Sequence, residues 1–331
     1  MPLVKLANDK SFEASAEVSM LDAARAVGVV LEHSCRTGRC GTCKARVTSG
    51  ETRIIGDTSG LTEADTLAGY ILTCTTAVLG DVHLDIEDVS LLADFPTRTT
   101  PCRIDSIRRA ATDVVCVTLR FPPNASPNYL PGQYVDVIGS GGRRRSYSVA
   151  SQPSKDGKID LHIRAVDGGA MSSYWFGAAK AGDLLRLEGP KGTFFLRDVA
   201  GLDLVFLATG TGIAPVKAML EGLATRVAPG LPKSVTVLWG GRTEPDIYWS
   251  PQISPSLPFE FVPVLSRADA GWAGARGYVQ KLLTQRMSDF SNAVVYACGS
   301  QAMIDDASTA LIGAGLSPKR FFSDAFVSSS I

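Results

Sequence analysis

Hydrophobic and polar positions follow three successive patterns along the chain. Up to about residue 90, short alternating runs surround one amphipathic segment, 22–29, which the hydroxyl of Ser19 would cap as a helix. Between residues 102 and 189, six short β-type runs are separated by Pro and Gly turns. Beyond residue 202, continuous apolar runs such as 204–208 alternate with helical segments, which is typical of parallel strands buried on both faces.

These patterns predict a multidomain protein. We expect an α+β module at 1–90, a linker at 91–100, an antiparallel β-barrel at 101–199 and an α/β domain with a parallel sheet at 200–331. The linker is placed where Pro96 and Pro101 bracket four polar residues that have no periodic face. Within the first module we predict a hairpin from 3–6 and 11–13 and a short helix capped by Thr62; in the last, a helix at 216–225.

Composition excludes several classes of protein. With 45% hydrophobic and 20% charged residues, no long apolar run and no signal-peptide pattern, the chain is expected to be cytoplasmic, monomeric and free of membrane contact. A net charge of zero argues against nucleic-acid binding. Residues 1–90 carry 8 Lys and Arg against 13 Asp and Glu, a net charge of −5. This acidic module could dock on a basic partner, or its charge could simply be a solvated surface.

Cysteine spacing provides the strongest chemical signal. Cys35, Cys40 and Cys43 follow a C-x4-C-x2-C pattern on a glycine-rich loop, and Cys74 lies downstream. This spacing matches the ligands of a plant-type [2Fe-2S] cluster. A zinc site would more usually contain two C-x2-C pairs, and a disulfide is less favoured still. With these residues, 1–90 resembles a plant-type ferredoxin, which implies a β-grasp fold.

The segment Arg145-Ser146-Tyr147-Ser148 offers a phosphate-binding fork, an aromatic face and a hydroxyl, although for the tetrapeptide alone a basic strand end with a packed tyrosine is the favoured explanation. Together with 131–134 and 168–172 it resembles the FAD-binding domain of the ferredoxin–NADP reductase superfamily. The resemblance implies that Arg145 binds phosphate, Tyr147 packs on the flavin and Ser148 lies near the flavin N5. It also implies a pyrophosphate lining from Gly169, Met171 and a helix-capping Ser172, and backbone contacts to the ring from His162, Ile163 and Arg164.

The apolar run 204–208 leads into the turn Thr209-Gly210-Thr211-Gly212 and a helix, an arrangement that can hold a pyrophosphate. The spacing is not G-x-G-x-x-G, but it resembles the nicotinamide-cofactor turn of the same superfamily. The resemblance implies that Cys298 and Gly299 lie beside the nicotinamide, and that Phe326, with Asp324 near it, stacks on the flavin and moves aside. Cys298 as a buried apolar residue and Phe326 as a core anchor remain the alternatives.

The choice between NADH and NADPH depends on a few residues. Ser266, Arg267 and Arg242 could bind a 2′-phosphate. Segment 266–278, with Trp272 and Gly277, is more similar to NADH-using oxygenase reductases. We therefore expect NADH, with NADPH as the alternative.

Three cofactors in one chain indicate an electron-transfer reductase. Nicotinamide gives electrons in pairs and the cluster takes them singly, while flavin can do both. Segments 101–107, 188–195, 296–300 and 321–327 give the chain a resemblance, over its whole length, to reductases that serve CDP-hexulose 3-dehydrases. This resemblance implies an iron–sulfur dehydrase as the electron-accepting partner. The alternatives are the reductase of an aromatic-ring or hydrocarbon oxygenase and a non-catalytic redox-sensing module.

Overall fold

The computed structural model describes residues 1–123, 125, 127–227, 230–252 and 257–326. The chain divides into two units, which meet in sequence between Pro96 and Thr97. The end of the predicted last domain, 327–331, lies outside the described residues. None of the helices in the described part of the chain has the length and apolarity that a bilayer crossing demands.

The first unit is a five-stranded mixed sheet crossed by a helix, with a separate two-stranded ribbon. Its sheet has the order β2-β1-β7-β3-β5, in which β1 and β7 are parallel, and the ribbon pairs β4 with β6. This confirms the β-grasp fold. The elements are β1 (Leu3–Leu6), β2 (Ser11–Glu13), α1 (Met20–Ala26), β3 (Lys44–Ser49), β4 (Thr52–Ile54), α2 (Glu63–Leu67), β5 (Tyr70–Leu72), β6 (Thr76–Val78) and β7 (Val82–Leu84).

Side-chain caps begin both helices of this unit. The Ser19 hydroxyl accepts from the Asp22 N–H at 3.1 Å, as predicted, although α1 spans 20–26 rather than 22–29. Thr62 and Asp65 cap α2 reciprocally. Because a cap satisfies N–H groups that have no partner inside the helix, it lets such short helices form at these positions.

The second unit opens with an antiparallel six-stranded sheet of order β11-β10-β13-β8-β9-β12. A bridge between Val149 and Leu161 joins its two outer strands, so the sheet closes into the expected barrel around buried residues such as Leu119 and Leu187. Its elements are β8 (Arg98–Ala111), β9 (Val114–Arg120), β10 (Tyr134–Ile138), β11 (Arg144–Ser148), β12 (Lys158–Arg164), α3 (Ala170–Ser173) and β13 (Leu184–Lys191).

Strand β8 extends into the predicted linker. Arg98, Thr99 and Thr100 pair with 187–189, so the last three residues of the linker predicted at 91–100 belong to the barrel sheet. The polar side chains at this end of the strand are exposed or half-buried, and backbone hydrogen bonds hold it in the sheet. The sequence therefore has no apolar face by which the strand could be recognised.

A parallel sheet of order β17-β16-β15-β14-β18-β19 completes the second unit. Its strand order reverses beside β14, the position where open α/β sheets bind ligands at their carboxyl edge. Helix α4 starts at Ile213, three residues before the predicted start. The elements are β14 (Asp203–Thr209), α4 (Ile213–Ala224), β15 (Ser234–Gly241), β16 (Phe259–Leu265), β17 (Ala275–Arg276), α5 (Val279–Arg286), β18 (Ala293–Gly299), α6 (Gln301–Gly313) and β19 (Phe321–Ala325).

The barrel core can be tested with two leucines that differ in burial. Leu119 in β9 is 0% exposed, whereas Leu184 in β13 is 83% exposed. We expect Leu119→Ala to lower the free energy of unfolding by about 2–5 kcal/mol, because it leaves a cavity. Leu184→Ala should change it by less than about 0.5 kcal/mol. Urea unfolding followed by tryptophan fluorescence measures both; similar losses would contradict the barrel core described here.

Candidate functional site

The four cysteines of the cluster motif come together in the first unit as two pairs of free thiols. The Cys43 and Cys74 Sγ atoms are 3.2 Å apart, and the Cys35 N–H donates to Cys40 Sγ at 3.5 Å. Cys40, Cys43 and Cys74 are buried, whereas Cys35 is half-buried. The loop and the distant residue 74 thus form one sulfur-lined site.

Backbone N–H groups favour negative charge on these sulfurs. The Thr37 N–H donates to Cys35 Sγ at 3.4 Å. The Cys40 thiol, and then the Thr37 hydroxyl and N–H, lower the pKa of Cys35 to about 4 against the opposing effect of burial. The pKa of Cys74 is also lowered, first by the Cys43 thiol and further by the Gly38 N–H. The pKa values of the paired thiols Cys40 and Cys43 are raised, first by the paired cysteine and then by burial, so the donors favour one thiolate in each pair.

Gly38 permits the tight curl of the cluster loop. Its φ is +80°, and a Cβ at this position would lie 1.8 Å from the Asp57 carbonyl oxygen. Segment 57–60 therefore packs directly on the loop, and a residue with a side chain at position 38 would push the two apart.

The pairing of the thiols fits a two-iron cluster. Cys43 lies against Cys74 and Cys35 against Cys40, so the four thiols form two pairs. A [2Fe-2S] cluster is held by four cysteine thiolates, and these four residues would be its ligands.

The barrel leaves a gap between its two outer strands. The bridge from Val149 to Leu161 joins β11 to β12, but residues 144–148 pair only with β10 and residues 162–164 only with β9. Within the part of the chain that the structure describes, these two strand edges therefore diverge from the bridge without pairing with each other. A flat heteroaromatic ring fits such a gap, because it can hydrogen-bond to both edges.

Strand β11 places the predicted flavin residues along this gap. Arg145 and Tyr147 share one face, while Ser146 lies on the other and donates to the Asp136 carboxylate at 2.6 Å. The Trp175 indole N–H donates to the Tyr147 oxygen at 3.0 Å. Burial raises the pKa of Tyr147 to about 12, so the phenol keeps its proton. Because its oxygen already accepts from tryptophan, the phenol proton is free to be donated elsewhere.

Ser148, at the end of β11, is buried next to the bridge that closes the barrel. The backbone of Ser148 therefore lies at the closed end of the gap, and strand alternation puts its side chain on the opposite face from Tyr147. A role beside the flavin N5 stays a prediction.

The loop after β12 departs from prediction. Ser172 does not cap a helix: it lies inside α3, whose N-cap is Gly169, and its hydroxyl accepts from the Val166 N–H at 2.9 Å. Met171 packs inward beneath Gly139, so only its backbone can face a ligand. The serine hydroxyl therefore stabilises the turn before the helix. Sequence spacing alone does not distinguish this contact from a helix cap.

Side chains of β12 alternate between the barrel core and the parallel sheet. Ile163 is buried in the core. His162 lies on the outer face, with its Nδ1 3.2 Å from the Tyr248 hydroxyl, and burial followed by nearby cations lowers its pKa to about 3. Arg164, also outward, forms an ion pair with Asp113 at 2.9 Å. Only backbone groups of 162–164 are left to face the gap, consistent with the predicted backbone contacts.

The glycine turn at the carboxyl end of β14 lies at the amino end of α4. Residues 210–212 form a single tight turn, and the Thr209 hydroxyl accepts from the Ser300 N–H at 3.0 Å. Gly210 has φ +55°, and a Cβ there would lie 2.4 Å from an Arg164 guanidinium nitrogen. Free N–H groups at a helix start, with a cation beside them, can bind a pyrophosphate.

The last two strands bring the remaining predicted residues to the same edge. Cys298 and Asp324 are register partners in β18 and β19. The Phe326 N–H donates to the Gly299 carbonyl at 2.8 Å, and its side chain is 40% exposed. Cys298 is fully buried, and burial, followed by Asp324, raises the pKa of its thiol. Its thiol is packed in the core, and a nicotinamide contact from Cys298 stays a prediction.

The residues that could bind a 2′-phosphate lie at the ends of β15 and β16. Arg242 and Arg267 are exposed neighbours, and the Arg267 N–H donates to the Arg242 carbonyl at 2.8 Å. Ser266 is exposed beside them. The Arg242 N–H donates to Asp246 at 2.7 Å, which shapes the turn. Their position fits a nucleotide end, while the preference between NADH and NADPH stays a prediction.

Several supporting residues were missed by sequence reasoning. They contact the predicted site residues through an ion pair or hydrogen bonds. Asp113 forms an ion pair with Arg164, and Asp136 accepts a hydrogen bond from Ser146. The Trp175 and Trp239 side chains donate to the Tyr147 oxygen and, at 2.9 Å, to the Gly210 carbonyl, while the Tyr248 hydroxyl lies within hydrogen-bond distance of His162. Each is distant in sequence from its partner. The strand register, which the sequence does not reveal, brings them together.

Comparison with known proteins assigns one cofactor-binding family to each of the three parts of the chain described above. Residues 5–79 match a 2Fe-2S iron-sulfur cluster binding domain, 101–196 an oxidoreductase FAD-binding domain and 206–309 an oxidoreductase NAD-binding domain. The protein is thus an iron–sulfur flavoprotein reductase, an NAD(P)H-dependent oxidoreductase with a [2Fe-2S] cluster and FAD.

Named relatives extend over the whole chain. It is 41% identical over 324 residues to the CDP-6-deoxy-L-threo-D-glycero-4-hexulose-3-dehydrase reductase of Yersinia pseudotuberculosis, covering 96% of both chains. It is 30% identical to the xylene/toluene monooxygenase electron transfer component XylA of Pseudomonas putida, covering 93% of this chain and 88% of that one. The Amycolatopsis cytochrome P450 reductase GcoB superposes with a TM-score of 0.71 at 27% identity over 100% of both chains. The chain belongs to the reductase family of which the Yersinia protein is a member.

Gly38 offers a steric test of the cluster loop. Gly28 is a matched control, since its φ of +78° is nearly the same but a Cβ there would meet nothing within 4 Å. Gly38→Ala should at least halve the iron and acid-labile sulfide bound per chain, because the added methyl clashes with the Asp57 carbonyl. Gly28→Ala should bind the wild-type amount. Equal cluster content in both variants would refute the steric role.

Proposed function

We propose that this protein takes electrons from NADH and delivers them singly to a CDP-hexulose 3-dehydrase. The observation that carries the proposal is that one chain contains paired thiols, a gap between barrel strands and a glycine turn at a helix start. Bound there, nicotinamide supplies an electron pair as hydride, FAD exchanges pairs for single electrons, and the [2Fe-2S] cluster passes single electrons on.

The chain's own residues would hold these groups in place. We assign the cluster to Cys35, Cys40, Cys43 and Cys74, with the loop N–H groups offsetting the negative charge of the sulfurs. We assign flavin binding to β11, where Arg145 would bind phosphate, Tyr147 would donate its phenol proton and the Ser148 hydroxyl would lie beside the reacting ring. In this assignment the backbone edges of β11 and β12 orient the ring.

The parallel sheet would bind the dinucleotide. N–H groups of residues 210–212, with Arg164 beside them, would receive the pyrophosphate. We assign Phe326 the role of covering the flavin until nicotinamide displaces it, and its exposed ring is consistent with movement. We place the modules at 1–90, 101–199 and 200–331, with β8 reaching back to Arg98.

The choice of partner rests on similarity and charge. The Yersinia relative named for a hexulose dehydrase is 41% identical, against 30% for the monooxygenase component XylA. The net charge of −5 on residues 1–90 would favour an acceptor with a basic surface.

The partner is tested by offering the reduced protein both acceptors. With NADH under anaerobic conditions, a CDP-hexulose 3-dehydrase should be reduced at least tenfold faster than the oxygenase component of a xylene or naphthalene system. Equal or faster reduction of the oxygenase would favour the alternative partner. A protein that reduces neither of these nor cytochrome c would instead fit a redox sensor.

Replacing a cluster ligand should separate the two halves of electron transfer. Cys40→Ser should abolish the cluster and reduction of cytochrome c, while NADH-dependent reduction of ferricyanide through FAD continues. Cys116→Ser, which changes a half-buried barrel thiol, is the control and should retain both activities. Loss of both activities in Cys40→Ser would contradict this separation, because it would show that ferricyanide reduction through FAD also depends on the cluster.

Phe326 tests the nicotinamide side. Removing its ring in Phe326→Ala should leave the flavin face open, so the KM for NADH or the NADH to NADPH ratio of kcat/KM should change several-fold. Steady-state kinetics with both nucleotides measure these constants. Phe322 lies in β19 and stacks on Tyr296, so Phe322→Ala tests whether the loss of any aromatic ring in this region changes the kinetics. Unchanged kinetics in Phe326→Ala would remove it from the site.

A further inference from the structure

A buried hydroxyl without a protein partner lies beside the fourth cysteine. Thr75 follows Cys74 directly and is 6% exposed. Its Oγ1 atom is buried and makes no hydrogen bond within the described residues. Because an unsatisfied buried hydroxyl destabilises a protein, such an atom indicates an acceptor that forms only when the cluster is bound.

The rest of Thr75 is held firmly in place. Its N–H donates to the Leu72 carbonyl at 3.1 Å, and its carbonyl accepts from the Ile55 N–H at 2.8 Å. Its methyl carbon would lie 3.1 Å from a Cβ at Gly38 and 2.9 Å from one at Gly56, so the methyl group packs on these two glycines. Backbone and methyl are thus both fixed, and the hydroxyl is the only free group of the residue.

The place of Thr75 in the fold indicates the use of its hydroxyl. Thr75 is the residue directly after Cys74, and its methyl carbon lies against Gly38 of the cluster loop, so its side chain is held between the fourth cysteine and that loop. The buried hydroxyl therefore lies next to the sulfur-lined site. A hydrogen bond to a sulfur ligand stabilises the reduced cluster, which carries one more negative charge, relative to the oxidised cluster.

We propose that the Thr75 hydroxyl donates a hydrogen bond to the Cys74 sulfur of the bound cluster and raises the reduction potential of that cluster. Thr75 is a positioning residue, since it acts on the iron through its ligand. The inference rests on the cluster site proposed above and adds to it a residue that tunes the energy of the one-electron carrier.

The next residue provides a matched control. Thr76 is 1% exposed, its hydroxyl also has no partner within the described residues, and it is one residue further from the cysteine, in β6. The same threonine-to-valine change at the two positions removes the same atoms from equally buried surroundings. Only the change at 75 removes a donor next to a ligand.

The test measures the cluster potential by spectroelectrochemical titration of the purified holoprotein, together with its iron and sulfide content. Thr75→Val should lower the equilibrium constant for cluster reduction about tenfold, which is about 59 mV for a one-electron couple. Thr75→Ser, which restores the hydroxyl, should recover most of the shift, and Thr76→Val should have the wild-type potential.

Two results would overturn the inference: an unchanged potential in Thr75→Val, or the same shift in Thr76→Val. If the valine variant binds no cluster, Thr75→Ala decides, because it removes the hydroxyl with less bulk; a negative shift supports the role and a wild-type potential refutes it. A wild-type protein that takes up no cluster would refute the cluster site itself, which is a different outcome.

Discussion

Bringing four sulfur atoms together at one site is the constraint on which the first unit depends. Thiolates repel one another and lose hydration when buried, so the surrounding backbone must supply compensating dipoles. The loop does this by curling tightly enough that N–H groups at Thr37 and Cys35 face sulfur. That curl in turn requires Gly38, because segment 57–60 lies where a side chain would be. The β-grasp sheet then brings residue 74 to the loop from the far side of the module.

The barrel of the second unit depends on a different constraint, because it must leave hydrogen-bonding backbone groups accessible at one defined place. A closed barrel has no free edges, and an open sheet has edges that aggregate. Here closure stops at the bridge between Val149 and Leu161. Beyond it, within the described residues, the two strands diverge without pairing with each other. A flavin ring bound in this gap, as proposed above, would have a fixed orientation toward its electron donor.

Strand β12 connects this gap to the nucleotide-binding turn. Its alternating side chains send Ile163 into the barrel core and place His162 and Arg164 against the parallel sheet. Since Arg164 fills the space over Gly210, one strand both borders the gap proposed for the flavin and sets a positive charge at the turn proposed for the pyrophosphate. In that assignment, the positioning of two cofactors would depend on the period-two geometry of a single strand.

Local patterns in the sequence were enough to predict the grouping of the four cysteines, the three kinds of sheet, the caps at Ser19 and Thr62 and the glycine turn at 210–212. Each of these depends on residues close in sequence or on a spacing that chemistry dictates. What only the tertiary structure decided depends on register and packing. The inward turn of Ser172, the pairing of Arg98 within the barrel, the burial of Cys298 and the contact of Trp175 with Tyr147 all join atoms whose distance no local pattern encodes. A strand's side chains can be assigned to two faces from sequence, but what lies against each face is settled when the sheets close and pack.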